Sequence, residues 1–454
     1  MPPVARAATS RSAGRDRPSP RSRRGCRRWP RSSRSLLHPG AAGAASGMSR
    51  VPYRGACIAV DGDGVAQGGA PVHDGVVVVD SDGHLVEHST VYDGRIDPRH
   101  LEHAPRVLRM EDGRQGFSFF GMPPGRGDFG PGDAITPGGL LQPRMLDWDE
   151  GQPGGFDPQR RLADMDVEGI DAAVLFPTLG LFLSLVPEAE AAVAIARVLN
   201  DRALEYCAAD RTRLFPVGVL PLKDVAAAVT ELQRCAGAGF AAVVVRPNPD
   251  PITQRHLDDP AHDRLWHAAE EAGITVCVHE GVNPLLPFAG LERCPTMFDW
   301  HCVSHPFEQM LAMLGLMRAG VMERHPSLRF GFMEANCGWV PYWLERMDSN
   351  WHNLGSRAPE IRRPPSEYFR RQCAVTCEAD EQATAMVCEV VGDSHVMWAS
   401  DYPHFDAEFP GAVAEMFERG DLSSERRARV MGANAIDFFR LPLRATTEPL
   451  SSSR

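Results

Sequence analysis

Asp82-Gly83-His84, His279, Glu334 and Asp401 are residues of this 454-residue chain whose types and positions could do chemistry. Each stands at or just after the end of a short apolar run: VVVVDS (76–81), ITVCVHE (274–280), LRFGFME (328–334) and VMWAS (396–400). Arg246 closes a further run, AAVVVRP (241–247). Taken singly, each has an ordinary explanation. Asp82 before a glycine fits a turn, His279 a core histidine, Glu334 a helix start and Asp401 before Tyr-Pro an N-cap. Taken together, Asp82, His84, His279 and Asp401 form an oxygen/nitrogen donor set for one divalent ion. Zn2+ suits such a set, and Mn2+ is the alternative because carboxylates make up half of it. Asp82, Glu334 and Asp401 aimed at one cleft without a cation would repel one another.

Positioning these groups together requires a fold that brings strand ends to one place. Three more apolar runs complete a series of eight that opens with the run at 76–81: DAAVLFP (171–177), LFPVGVLP (214–221) and CAVTCE (373–378). The runs are continuous rather than alternating, as strands covered on both faces are. Helical patterns lie between them at 187–209, 224–239, 263–273 and 307–325. Strand–helix alternation of this length predicts a (β/α)8 barrel over 76–440, whose chemistry belongs at the C-terminal strand ends. The Gly-, Pro- and Asp-rich stretch 91–158 reads as a long irregular insertion.

Charge narrows the function classes. The net charge is −11, but residues 1–40 hold eleven Arg against one Asp, a net of +10, so the rest carries −21. An acidic body argues against a nucleic-acid partner. The Arg-, Ser- and Pro-rich first fifty residues are expected to be disordered. A mis-assigned start upstream of Met48, a transit peptide and a basic nucleic-acid-binding arm are the open explanations. The last residues, 441–454, are expected to be a disordered tail. No run approaches the roughly 18 apolar residues of a membrane span. Eleven dispersed Cys without a CxxC pair predict reduced thiols and a cytoplasmic enzyme.

The ordered segments DSDGHLVE, RLADMDVEGIDAAVLFPTLG, VVVRPNP, TVCVHEG, HPSLRFGFMEANCGWVPYWLERMD, WASDYPHFD and GANAIDFF resemble the amidohydrolase-related family 2. That group includes aminocarboxymuconate-semialdehyde decarboxylase and non-oxidative benzoate-type decarboxylases. The resemblance implies a metal-dependent barrel with Zn or Mn at the strand ends. Carried over by position, the opening metal motif falls on Asp82-Gly83-His84, the strand-five ligand on His279 and the strand-eight Asp on Asp401. The chain departs from better-studied members at the end of strand six, where they carry a His and it carries Glu334. His305, read as lying in the loop after strand five, is the imidazole that could stand in for it, or else a helix-start residue.

The implied activity is decarboxylation of a small aromatic or dienoic carboxylic acid. Asp401 would be the proton donor, Glu334 and His305 catalytic neighbours, and Arg246 the cation that clamps the anionic substrate. Arg246 has a structural alternative, an ion pair with Glu280 or Asp250. Hydrolysis of a lactone, amide or C–C bond on the same centre is the second reading, and an inactive barrel that only binds is the third. Phe176, Trp300, Trp339 and Tyr402 are candidate mouth aromatics or core. A homodimer is left open.

Overall fold

The computed structural model describes residues 73, 75–109, 115–118, 151–282, 286–404 and 407–443. The expectations for residues 1–50 and 444–454 lie outside them. Eight strands form one sheet: β1 (Val79–Leu85), β2 (Ala172–Pro177), β3 (Leu214–Val219), β4 (Ala242–Val245), β5 (Thr275–His279), β6 (Phe330–Met333), β7 (Cys373–Cys377) and β8 (Val396–Trp398). They pair in chain order and all in parallel. Beyond the last rung, Asp401 N donates to Asp82 O at 2.9 Å and His84 N to Tyr402 O at 2.7 Å, which stitches β8 back to β1. The result is the expected (β/α)8 barrel.

Helices α1 (Pro158–Glu168), α2 (Ala189–Cys207), α3 (Val225–Ala238), α4 (Asp263–Ala272), α5 (Met297–Arg318), α6 (Trp339–Leu354), α7 (Pro365–Gln372) and α8 (Thr384–Val391) lie between the strands. Their ends follow local chemistry. Asp157 caps α1 by accepting from Gln159 N and Arg160 N, Pro158 opens it, and Gly169 ends it at φ 85°. Among the described residues no helix is long and apolar enough to cross a membrane.

Strand alternation divides the core in two. Ala242, Val244, Cys277, Met333 and Met397 share one cluster in the barrel interior. Val243, Val245, Val276, Val278, Phe332 and Trp398 pack outward in the other. The phase places His279, two on from Cys277, on the interior side. In β1 the phase changes. Val79 belongs to the inner cluster and Leu85 to the outer one, and the β1–β2 register shifts between Asp80 and Gly83. That irregularity turns Asp82 and His84 inward. The first strand therefore runs through Asp82-Gly83-His84, where the sequence pattern ended it at residue 81.

The insertion is not wholly irregular. Arg106–Arg109 pairs antiparallel with Gln115–Ser118, and Pro153–Phe156 forms a short helix. A buried 3-10 segment, Leu179–Leu185, follows β2, its start held by Glu87 accepting Leu179 N at 2.7 Å and Gly180 N at 3.2 Å.

Candidate functional site

The strand ends bring Asp82 and His84 (β1), His279 (β5), Glu334 (after β6) and Asp401 (after β8) into one cluster. Asp82 Oδ1 lies 3.3 Å from His279 Nε2 and 3.6 Å from His84 Nε2, and His84 Nε2 lies 3.4 Å from Asp401 Oδ1. Glu334 Oε2 is 3.3 Å from His279 Nδ1. Two groups that could hold a metal ion share His84: Asp82, His84 and His279, and His84, Glu334, Asp401 and His404. Glu334 and Asp401 both have left-handed backbone, with φ of 47° and 54°. Non-glycine residues adopt that conformation at a cost of about 1–3 kcal/mol, and it concentrates at functional sites. Here it lets Glu334 leave the strand alternation, which would send its carboxylate outward, and reach His279.

The electrostatics favour a cation. Asp82 Oδ1, His84 Nε2, His279 Nε2 and Glu334 Oε2 are buried without a well-formed hydrogen bond among the described residues. Leaving such groups unsatisfied costs about 1–3 kcal/mol each. Ligands held about 2.1 Å from a tetrahedral ion stand about 3.4 Å apart, and the separations above match that edge. His279 Nδ1 lies 2.5 Å from Glu280 O, a contact that fixes the proton there and leaves Nε2 free to ligate. Burial pushes the Asp82 carboxyl up to about 6. Burial, with His404 and His279 beside it, holds His84 well below the usual histidine range. Neutral imidazole is the ligating form.

The amidohydrolase family profile matches residues 79–441, most of the chain. The chain belongs to the amidohydrolase family. It is 24% identical over 292 residues to the 2-amino-3-carboxymuconate-6-semialdehyde decarboxylase of Dictyostelium discoideum, covering 63% of this chain and 77% of that one. It is 28% identical over 306 residues to the gamma-resorcylate decarboxylase of Rhodococcus jostii (strain RHA1), covering 65% and 91%. The fold also superposes on a dihydroxybenzoic acid decarboxylase from Polaromonas sp. JS666, solved with bound manganese and 2-nitroresorcinol. That match has a TM-score of 0.58 and 18% identity, covering 81% of this chain and 98% of the other.

In this amidohydrolase His305 does not lie in the loop after β5. It sits inside α5, with Nε2 3.3 Å from Glu334 Oε1. Burial opposes charge on His305, but Glu334 outweighs it and pushes its pKa up to about 9. Burial also acts against charge on Glu334, yet His305 and His279 hold its carboxyl well below the usual range. The two therefore form a buried ion pair. Arg246 adopts the geometry of its structural alternative. It donates to Glu280 Oε1 at 2.9 Å, Asn248 Oδ1 at 3.0 Å, Gly281 O at 2.7 Å and Leu181 O at 3.1 Å, while Asp250 pairs with Lys223 at 2.6 Å. Phe176 is buried with its ring 5.0 Å from that of His279, and the Tyr402 hydroxyl donates to Asp164 at 2.6 Å.

Two residues went unread in the sequence. His404, in the segment WASDYPHFD, puts Nδ1 2.9 Å from Asp401 Oδ1 and its ring 3.9 Å from that of His84. A histidine three residues after a candidate ligand was the available signal. Arg161, from α1, is 1% exposed and donates to His84 O and Tyr402 O at 3.1 Å each, with Asp80 Oδ2 at 3.4 Å. Asp80 in turn accepts from Ser400 N at 3.0 Å and Ser400 Oγ at 2.7 Å. Arg161 thus ties β1, carrying Asp82 and His84, to the segment carrying Asp401. No sequence pattern marks an arginine on an amphipathic helix as buried.

Proposed function

We propose that this amidohydrolase is a metal-dependent carboxy-lyase that removes CO2, without an oxidant, from a small aromatic or dienoic carboxylic acid. The observation that carries the reading is the buried run of donor atoms Asp401 Oδ1, His84 Nε2, Asp82 Oδ1 and His279 Nε2, in which successive atoms stand 3.4, 3.6 and 3.3 Å apart. These four would hold one divalent ion, with Glu334 beside it. Zn2+ fits the donor set, and the manganese in the Polaromonas relative supports Mn2+. When bound, the ion supplies positive charge to the substrate's carboxylate and neighbouring hydroxyl or enol oxygen. The decarboxylases among the relatives support the same class of acid for this chain.

The chain's own residues then divide the work. The accessible side of the cluster runs along Glu334, Asp401 and His404, whose side chains are 10–16% exposed, whereas those of His84 and His279 are fully buried. Substrate arrives from that side, next to Asp401. The carboxyl of Asp401 delivers a proton to the carbon that loses CO2; the electrons of the broken C–C bond form the new C–H bond. His404, against Asp401 Oδ1, is placed to return a proton to the emptied carboxylate. The Glu334 carboxylate, held in place by His305, keeps a fixed negative charge beside His279. Arg246 is proposed as the clamp for a substrate anion on a condition set by its contacts: the anion would exchange for Glu280.

Metal analysis of the purified protein, then a screen of hydroxybenzoates and carboxymuconate-type acids for CO2 release, tests the proposal. Protein that purifies metal-free and takes up neither Zn2+ nor Mn2+ would end it. Metal-loaded enzyme that hydrolyses lactones or amides and releases no CO2 would replace it with the hydrolase reading.

A further inference from the structure

Helix α5 touches the site twice on one face. His305 meets the Glu334 carboxylate, and one turn on, Gln309 reaches under the same place. Its side chain is fully buried, and Nε2 donates to Val278 O and Met333 O at 2.9 Å each. Val278 and Met333 are the residues immediately before His279 and Glu334, and His279–Met333 is the last rung of the β5–β6 ladder. A primary amide is the neutral side-chain group that offers two N–H donors from one nitrogen, so one residue can hold two carbonyls. Just beyond, the backbone turns left-handed at Glu334, whose N–H donates to Thr376 Oγ1 at 3.2 Å. Glu334 is therefore held from β7 through its own amide and from α5 through the preceding carbonyl.

We propose that Gln309 is a positioning residue, its amide holding the ends of β5 and β6 at the spacing that lets His279 and Glu334 serve one centre. The inference rests on the metal reading above and adds to it a residue that touches neither ion nor substrate. Without the amide, two buried carbonyls each lose a donor at the point where the strands part. His279 and Glu334, 3.3 Å apart, then shift independently. Loss of a group that orients metal ligands typically weakens metal binding or activity by about 10–100-fold.

The test compares metal-loaded wild type with Gln309→Met, which keeps the volume and removes both donors. Release of the metal to excess EDTA should speed up by about tenfold or more. At saturating metal, kcat should fall by about tenfold with KM within about twofold, the mark of an interaction made in the transition state. Met313→Ala, a fully buried core change one turn further along α5, is the control. It should lower Tm while leaving metal release as in wild type. Should Gln309→Met fail to fold, Gln309→Asn keeps the amide but withdraws it by one methylene, and the same faster release is expected. Wild-type release from the Gln309 variants, or equal acceleration by Met313→Ala, would overturn the proposal. Wild-type protein that binds no metal would instead refute the functional reading beneath it.

Discussion

Gly83→Ala is the most informative small change in this barrel, because the methyl group has nowhere to go. A Cβ at residue 83 would stand 2.5 Å from Asp80 Oδ2 and 3.3 Å from Asp80 Cγ, with Arg161 Nη2 also inside contact distance. Neither neighbour is a loose end. Arg161 and Asp80 are 1% and 0% exposed, and each is anchored by further hydrogen bonds to the β1 and β8 ends. One of two things must follow. If the Arg161–Asp80 pair separates, the loss is about 3–5 kcal/mol, as for breaking a buried ion pair. If the backbone of β1 moves instead, the overpacking costs about 1–3 kcal/mol and displaces Asp82 and His84. At about 2 °C per kcal/mol, Tm should drop by roughly 2–10 °C. Metal affinity should weaken by about tenfold or more, because the residues on both sides of the methyl are ligand candidates. Differential scanning calorimetry and chelator competition measure both. Gly237→Ala in α3 is the matched control, since no atom lies within 4 Å of its added methyl; it should raise stability by about 0.5–1 kcal/mol. The clash also predicts coupling: combined with Arg161→Met, Gly83→Ala should cost at least about 1 kcal/mol less than the two changes summed. A Gly83→Ala enzyme with wild-type Tm and wild-type metal affinity would refute the account of how β1 is held.

Asp401→Asn should keep part of the metal but slow turnover by about 100-fold or more, since an amide cannot deliver the proton; near-wild-type turnover at full metal occupancy would return Asp401 to a structural role. His279→Ala should leave the barrel folded by circular dichroism while metal binding weakens by about tenfold or more, and retained stoichiometric metal after dialysis would count against it as a ligand. Glu308 accepts Ala289 N at 2.7 Å, and burial pushes its carboxyl up to about 7, so the native state holds a proton that the unfolded chain releases near 4.5. Its contribution is present in full below pH 4.5 and is lost as pH rises through 7; Tm should fall over that window, and Glu308→Gln, which keeps the acceptor, should flatten the fall, an unchanged slope contradicting the assignment.

Much of the fold was legible because burial on both faces leaves a plain mark. Eight continuous apolar runs announced eight strands, and the ionisable residues at their ends announced the cluster. What stayed hidden depended on contacts between distant parts of the chain. The continuous apolar run of β1 predicts a strand ending near residue 81, and the register shift against β2 that turns Asp82 and His84 inward has no local signature. His305 was misplaced because Pro306 reads as a helix boundary. The Thr296–Asp299 capping box, visible as T-x-x-D, starts α5 earlier, and the helix carries on through the proline.

The same distinction explains why the cluster is rigid. Five strand-end residues on their own would have independent backbones, and their carboxylates would push apart. In this barrel the repulsion is contained by three groups, of which only Thr376 lies in one of the apolar runs. Arg161 locks β1 to the segment after β8, Thr376 holds the left-handed amide of Glu334, and Gln309 bonds the carbonyls behind His279 and Glu334. Each donates to backbone or, like Thr376, accepts from it, and each lies on an element other than the one it restrains. The strain at Glu334 and Asp401, about 1–3 kcal/mol apiece, is sustainable because their surroundings are fixed from several sides. The chemistry therefore sits on strand ends that can be recognised by residue type, while the precision of the site is carried by residues whose type alone says nothing.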